Sequence, residues 1–138
     1  MKKLFILIFC LISLKSIASE KKTTFNEEVF NNAQSEGKIV VVSSWIKYCS
    51  SCASQMKVLN KVKDDFQNII YLNFDVRNKE ISKLLNVQYQ TTLLIFKKNK
   101  EIYRSVGETS KSEIYRAIEK SLSNNLSISI NSNVSIGS

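Results

Sequence analysis

The sequence contains no histidine and no proline among its 138 residues. The lack of histidine removes one of the two side chains that structural zinc sites prefer. Proline is absent while lysine, asparagine, isoleucine and serine are abundant, so the lack of proline at any single position is weak evidence about function. Cysteine is also scarce, with three residues. These shortages direct attention to the few cysteines that the chain has.

Two further absences limit the binding partners. Basic residues outnumber acidic ones by 20 to 12, which gives a net charge of +8, but they are scattered along the chain. No basic cluster alternates with aromatic residues. The charge is therefore typical of a solvated surface with a mild preference for acidic partners, and we expect no nucleic-acid binding.

The sequence also lacks an apolar run long enough to cross a bilayer. The run at residues 4–14 is shorter than the about 20 residues that a membrane-spanning helix needs. Lys2 and Lys3 precede it and the small residues Ser16 and Ala18 follow it, which is the layout of a secretory signal peptide. We therefore expect cleavage after Ala18, export to the periplasm or the medium, and contact with a membrane only during export.

Cleavage would change the cysteine count. Cys10 lies in the signal segment, so the mature chain would keep only Cys49 and Cys52. An exported protein meets oxidising conditions, in which thiols either pair or perform redox chemistry. The pair is spaced C-x-x-C in the stretch "WIKYCSSC".

Hydrophobic periodicity predicts the element order helix, β-α-β, helix, β-β, helix. The first helix is predicted to begin with a capping box of Thr24 and Glu27 and to stop at Gly37. The short helix in "NKEISKLLN" is predicted to face inward with Ile81, Leu84 and Leu85. The helix after the cysteines has one apolar face, made of Cys52, Met56, Leu59, Val62 and Phe66.

The two cysteines lie between a buried strand and this long helix. Unpaired backbone N–H groups and the helix dipole favour a negative charge at a helix N-terminus. A thiol placed there has a lowered pKa, and the thiolate is its reactive form. Cys49 is expected to be exposed and Cys52 to lie one turn further on, beneath it. That arrangement suits attack on a disulfide by Cys49 and resolution of the mixed disulfide by Cys52.

Residues from about 25 to 122 resemble a thioredoxin domain. The resemblance rests on "VVVSSWIKYCSSC", on "YLNFD", on "VQYQTTLLIFKKNKEI" and on "SVG" before the last helix. It implies an α/β thioredoxin fold with a central mixed sheet of about four strands, flanking helices and an extra N-terminal helix. It also implies that Cys49 is the nucleophile, that Cys52 is the resolving cysteine, and that the two form a redox-active disulfide.

The same resemblance places three further residues beside the site. Trp45 and Tyr48 correspond to aromatic residues that line it, and Thr91 stands where the family has its cis-proline, so all three are candidates for substrate binding. A non-proline cis bond costs about 2.5–4 kcal/mol, so a trans bond is favoured before Thr91 unless tertiary contacts force the cis form. The family's buried acid is replaced by Ser43 and the lysine often paired with it by Tyr71. Proton transfer at Cys52 is then expected to use water or to differ in rate.

The function predicted is therefore an exported thiol–disulfide oxidoreductase, with the reductase direction favoured. Its expected partners are protein thiols and disulfides together with an upstream electron donor, and we expect a monomer with no cofactor and no metal. The alternative is a thioredoxin-like binding module with reduced or no catalysis, prompted by Thr91 and Ser43. A structural disulfide is disfavoured because so short a loop gains little stability from closure. A zinc site would need two cysteines from each of two chains.

The predicted domain organisation has three parts. Residues 1–18 are the signal peptide, residues 19–123 the thioredoxin-like domain and residues 124–138 a flexible polar tail. The tail is rich in serine and asparagine and carries no charge. Leu126, Ile128 and Ile130 alternate within it and could instead add an edge strand.

Overall fold

The computed structural model describes residues 24–123. The predicted signal peptide and tail lie outside these residues. The elements in chain order are α1 (Glu27–Ser35), β1 (Val40–Trp45), α2 (Ser50–Asp65), β2 (Ile70–Asp75), α3 (Lys79–Leu84), β3 (Thr92–Lys97), β4 (Lys100–Val106) and α4 (Lys111–Ser123). This is the predicted order.

The four strands form one mixed sheet in the order β2-β1-β3-β4. Strand β1 runs parallel to β2 and antiparallel to β3, and β3 and β4 form an antiparallel hairpin. Val42 in β1 lies opposite Leu72 on one side and Leu94 on the other. The strand that leads into the cysteines is therefore held from both sides in the middle of the sheet.

The sheet packs between two helical layers because the side chains of β1 alternate between its faces. Val41 points towards α2 and α4, where a cluster of buried apolar residues includes Leu59, Val62, Ile114 and Ile118. All five are exposed by 2% or less. At about 25 cal/mol per Å² of apolar surface, such burial is the main stabilisation of the layer that carries the cysteine helix.

The opposite face of the sheet is covered by the chain preceding β1 and by the segment around α3. Val40 and Val42 lie there with Phe25, Phe74 and Leu85. The Phe25 ring meets the Phe74 ring edge-on, with 6.2 Å between the centroids. These contacts fasten the extra N-terminal helix to the sheet.

Two local predictions are wrong. The N-cap of α1 is Asn26, whose side chain accepts a hydrogen bond from the backbone N–H of Val29 at 3.0 Å. Thr24 instead forms a bridge with Asn73, beside β2. Leu84, the last residue of α3, is 52% exposed, whereas Leu85, which caps this short helix, is buried in the core.

The predicted stop at Gly37 is confirmed. Its φ of +72° is a left-handed conformation that glycine adopts at little cost, and its N–H donates to the carbonyl of Gln34. Within residues 24–123, none of the helices combines the length and the apolar character needed to traverse a bilayer.

Candidate active site

The C-x-x-C pair lies where the central strand β1 passes into α2. Cys49 is the N-cap of α2, with extended φ and ψ of −100° and 111°. Its Sγ accepts a hydrogen bond from the backbone N–H of Cys52 at 3.1 Å. The two cysteines form a disulfide, with 5.3 Å between their Cα atoms. The first sulfur is therefore in the position that a serine or aspartate takes at an ordinary helix start.

The two sulfurs differ in exposure. Cys49 is partly exposed, whereas Cys52 is 4% exposed and belongs to the inner face of α2. This is the arrangement expected from the sequence, with an accessible sulfur above a buried one. The N–H group at 3.1 Å and the helix dipole both stabilise negative charge on Cys49 once the disulfide opens. The individual roles of the two cysteines stay predictions.

Thr91 contacts both sulfurs. Its Oγ1 lies 3.2 Å from Cys52 Sγ and 3.6 Å from Cys49 Sγ, and the residue is 2% exposed. Its φ is +58°, a left-handed value that is costly for a β-branched side chain. The described part of the chain contains no cis peptide bond, so the bond before Thr91 is trans.

Three hydrogen bonds to the backbone of Thr91, one of them from a side chain, hold it in this conformation. Its N–H donates to the carbonyl of Ser44 at 2.9 Å, and its own carbonyl accepts from the N–H of Gly107 at 2.9 Å. The same carbonyl accepts from Nε2 of Gln55 at 3.3 Å. The N–H that a proline would lack is thus paired with the central strand.

Gln55 and Ser51 complete the site, and neither was among the site residues predicted from the sequence. Gln55 is 1% exposed and also donates to the carbonyl of Glu108 at 2.8 Å, so it ties α2 to two loops. Ser51 Oγ lies 2.8 Å from Thr91 Oγ1 and 3.3 Å from Cys49 Sγ. The available signal for Gln55 was its position three residues after Cys52, a polar side chain on an otherwise apolar helix face.

The aromatic residues predicted to line the site lie close to it in the chain. Tyr48 directly precedes Cys49, is 92% exposed and has a φ of +65°. The Nζ of Lys47 lies 5.0 Å from its ring centroid. Trp45 is half-buried and donates from Nε1 to Oδ1 of Asn73 at 3.0 Å. Their part in substrate binding stays a prediction.

The two positions where the family has an acid and a lysine hold neutral groups. Ser43 is 2% exposed and its hydroxyl donates to the sulfur of Met56 at 3.4 Å. Tyr71 donates its hydroxyl to the carbonyls of Val62 and Phe66. Burial, reinforced by Tyr115 and Asp65, raises the pKa of Tyr71 well above its ordinary value. Neither residue is ionised at neutral pH, and the hydroxyl of Tyr71 points to the far end of α2.

The fold and this site together define a thiol–disulfide exchange domain, with a disulfide at the junction of the central strand and its helix. A family model for thioredoxin matches residues 16–120. The chain belongs to the thioredoxin family, and membership together with the C-x-x-C pair supports thiol–disulfide oxidoreductase activity.

Individual relatives agree with this assignment. Thioredoxin H2 of Arabidopsis thaliana is 26% identical over 92 residues, which cover 66% of this chain and 68% of that protein. A thioredoxin of Coprinus comatus is 24% identical over 100 residues, which cover 70% and 93%. The crystal structure of thioredoxin NaTrxh from Nicotiana alata has a TM-score of 0.63 at 26% identity, covering 68% of this chain and 82% of that one.

Proposed function

We propose that this chain is an exported enzyme that reduces disulfides in protein substrates with the Cys49–Cys52 dithiol. The observation that carries the proposal is the hydrogen bond from the N–H of Cys52 to the sulfur of Cys49 at the N-cap of α2. A thiolate is the nucleophile of disulfide exchange, and this contact supports the thiolate on the accessible sulfur.

The reaction has two steps. The Cys49 thiolate attacks one sulfur of the substrate disulfide, and the other substrate sulfur leaves as a thiolate. Cys52, buried directly beneath, then attacks Cys49 and releases the second substrate thiol. The enzyme is now in the disulfide form observed here. An upstream electron donor must reduce this disulfide before the next turnover.

The reductase direction is supported by the residues between the cysteines. A strong oxidant needs a stabilised thiolate in its reduced form. Ser50 and Ser51 supply no positive charge, and the chain has no histidine to supply it. Equilibration with glutathione tests the direction: a reduction potential below about −200 mV supports a reductase, and a value near −120 mV would indicate an oxidant.

Export is supported by the charged, apolar and small-residue order of residues 1–18. N-terminal sequencing of the protein from its native host is expected to begin at Ser19, in an extracytoplasmic fraction. A chain that retains Met1 in the cytoplasm would overturn the proposed location and leave the exchange chemistry in place.

Two cysteine variants test the enzymatic function. Cys49→Ser is expected to abolish turnover on insulin, because no accessible thiolate remains. Cys52→Ser is expected to accumulate mixed disulfides with substrates, since the resolving thiol is lost. Full insulin reduction by Cys49→Ser would disprove this mechanism. A wild-type protein that binds thiol substrates but never turns over would favour the binding module instead.

A further inference from the structure

We propose that the hydroxyl groups of Thr91 and Ser51 form a path that carries the proton of the Cys52 thiol to solvent. The inference rests on the exchange reaction proposed above and concerns its second step. In this step the two hydroxyls accept and pass on a proton. They would do this in place of the family's buried acid, whose position is held here by Ser43.

The second step requires a proton acceptor. Cys52 is 4% exposed, and it must become a thiolate before it can attack Cys49. The hydroxyl of Ser43, which stands where the family has its buried acid, donates to Met56. Cys52 Sγ is bonded to Cys49 through the disulfide. Among residues 24–123, Thr91 has the one side chain within hydrogen-bonding distance of this sulfur.

The distances join the buried sulfur to the surface in two short steps. Cys52 Sγ and Thr91 Oγ1 are 3.2 Å apart, and Thr91 Oγ1 and Ser51 Oγ are 2.8 Å apart. Ser51 is exposed to solvent. Because a hydroxyl both donates and accepts, two in series can pass a proton from a thiol to water. Removing Ser51 would leave the buried Thr91 hydroxyl without its outer partner.

The backbone of Thr91 is held in an unfavourable conformation that maintains this contact. A left-handed φ is unfavourable for a non-glycine residue, and such residues persist where several surrounding contacts hold them in place. Here Ser44, Gly107 and Gln55 all bind the Thr91 backbone. The result is a buried hydroxyl within hydrogen-bonding distance of the resolving sulfur.

The proposed step is balanced in protons and electrons. In the mixed disulfide, Thr91 Oγ1 accepts the proton of Cys52 while its own proton passes to Ser51, and Ser51 releases a proton to water. The Cys52 thiolate attacks Cys49 Sγ and forms the Cys49–Cys52 bond. The bond between Cys49 and the substrate sulfur breaks, and its electron pair leaves on the substrate as a thiolate. The dithiol is oxidised and the substrate disulfide is reduced.

Stopped-flow reaction of the reduced full-length mature chain with less than one equivalent of 5,5′-dithiobis(2-nitrobenzoate) separates the two steps. Attack by Cys49 releases one thionitrobenzoate at a rate that depends on protein concentration. Resolution by Cys52 releases the second at a rate that does not. The ratio of the two rates is compared for wild type, Thr91→Val, Thr91→Ser, Ser51→Ala and Ser54→Ala.

Thr91→Val is expected to slow the second phase relative to the first by about tenfold or more near neutral pH, the low end of general acid–base effects. The deficit should shrink towards pH about 10, where thiols ionise without assistance. Ser51→Ala should show the same pH-dependent deficit. Thr91→Ser keeps the hydroxyl and should keep the rate, as should Ser54→Ala, an exposed serine further along the same helix.

Several results would overturn the proposal. A normal second phase in Thr91→Val and Ser51→Ala would remove the path, and a deficit equal at every pH would show a purely structural effect. If Thr91→Val slows the second phase and Ser51→Ala does not, Ser51 is not part of the proton path and the two-hydroxyl path is wrong. If Thr91→Val does not fold, Ser51→Ala decides, because its side chain is at the surface. No first phase in the wild type would instead disprove the exchange function itself.

Discussion

Thr91 shows what a single residue changes at this site. Proline fixes φ near −65°, whereas the φ of Thr91 is +58°. The loop that carries Thr91 therefore cannot accept a proline in its present conformation. Threonine adds a backbone donor, used by Ser44, and a hydroxyl that reaches both sulfurs. The substitution replaces an apolar ring beside the disulfide with a group that can donate and accept protons.

Gln55 is the residue that connects this loop to the cysteine helix. We expect Gln55→Met, which keeps an unbranched side chain of similar length, to lower the free energy of unfolding by about 1–3 kcal/mol. The reason is that the partly buried carbonyl of Glu108 loses its donor and the carbonyl of Thr91 loses one of its two donors. Urea denaturation of the oxidised protein measures the change.

The matched control is Gln67→Met. Gln67 is exposed just beyond the same helix, and its replacement is expected to change the free energy of unfolding by less than about 0.5 kcal/mol. Equal effects of the two substitutions would show that the Gln55 hydrogen bonds are not what stabilises the loop. A loss confined to Gln55→Met, with slower resolution by Cys52, would identify it as a positioning residue.

At the scale of elements, α2 is closed by side chains at both ends. Cys49 accepts from the first turn, and at the far end Tyr71 donates to the carbonyls of Val62 and Phe66 at 3.3 and 3.2 Å. Tyr71 therefore links the C-terminal end of α2 to β2, and the hydroxyl of Ser43 links β1 to Met56 within the helix.

Tyr71, at the C-terminal end of α2, should make the stability of the protein fall at high pH. The pKa of Tyr71 is raised in the folded protein, first by burial and then by Tyr115 and Asp65. Its unfolded form ionises near pH 10. The stabilisation that the neutral Tyr71 hydroxyl provides is therefore complete below about pH 10. It is lost progressively as the pH rises above that value, because the unfolded chain ionises first.

We expect Tyr71→Phe to lower the free energy of unfolding by about 1 kcal/mol at pH about 7, since the hydroxyl proton shared between the carbonyls of Val62 and Phe66 is lost. The same variant should lose less stability than wild type between about pH 9 and about pH 11. Tyr103→Phe serves as the control, because the Tyr103 hydroxyl has no hydrogen bond within residues 24–123. Parallel stability profiles for wild type and Tyr71→Phe would contradict this account.

Across the whole molecule, the features that were predicted correctly from the sequence are those that depend on hydrophobic periodicity. The apolar run of the strand before the cysteines and the apolar face of α2 were both predicted to be buried, and both belong to the core. The end of α1 was predicted correctly from Gly37. Its start was not, because Thr24, Asn26 and other polar residues compete for the N-cap and tertiary pairing of Thr24 with Asn73 decides between them.

The site followed the same division. Local sequence identified the strand-to-helix position of Cys49 and Cys52. The family resemblance placed Thr91 beside them. The 3.2 Å contact between its hydroxyl and Cys52 Sγ could not be predicted, because it depends on how Gln55 and Gly107 bind the Thr91 backbone. The inward prediction for Leu84 failed for a related reason: in a six-residue helix the spacing does not determine which side faces the core.

The predicted domain boundary at residue 123 can be tested on the molecule as a whole. Within residues 24–123, both apolar clusters are built from residues between Phe25 and Leu122. The uncharged serine- and asparagine-rich segment that follows is expected to be a flexible tail. A chain of residues 19–123 should therefore unfold within about 0.5 kcal/mol of the 19–138 chain, which corresponds to a Tm shift of about 2–4 °C at most. Circular dichroism of the two oxidised proteins measures the difference. A chain cut before Ala117, which also removes the buried Ile118, should lose cooperative unfolding. A Tm more than about 8 °C lower for 19–123 would show that residues 124–138 stabilise the fold and that the domain extends beyond residue 123.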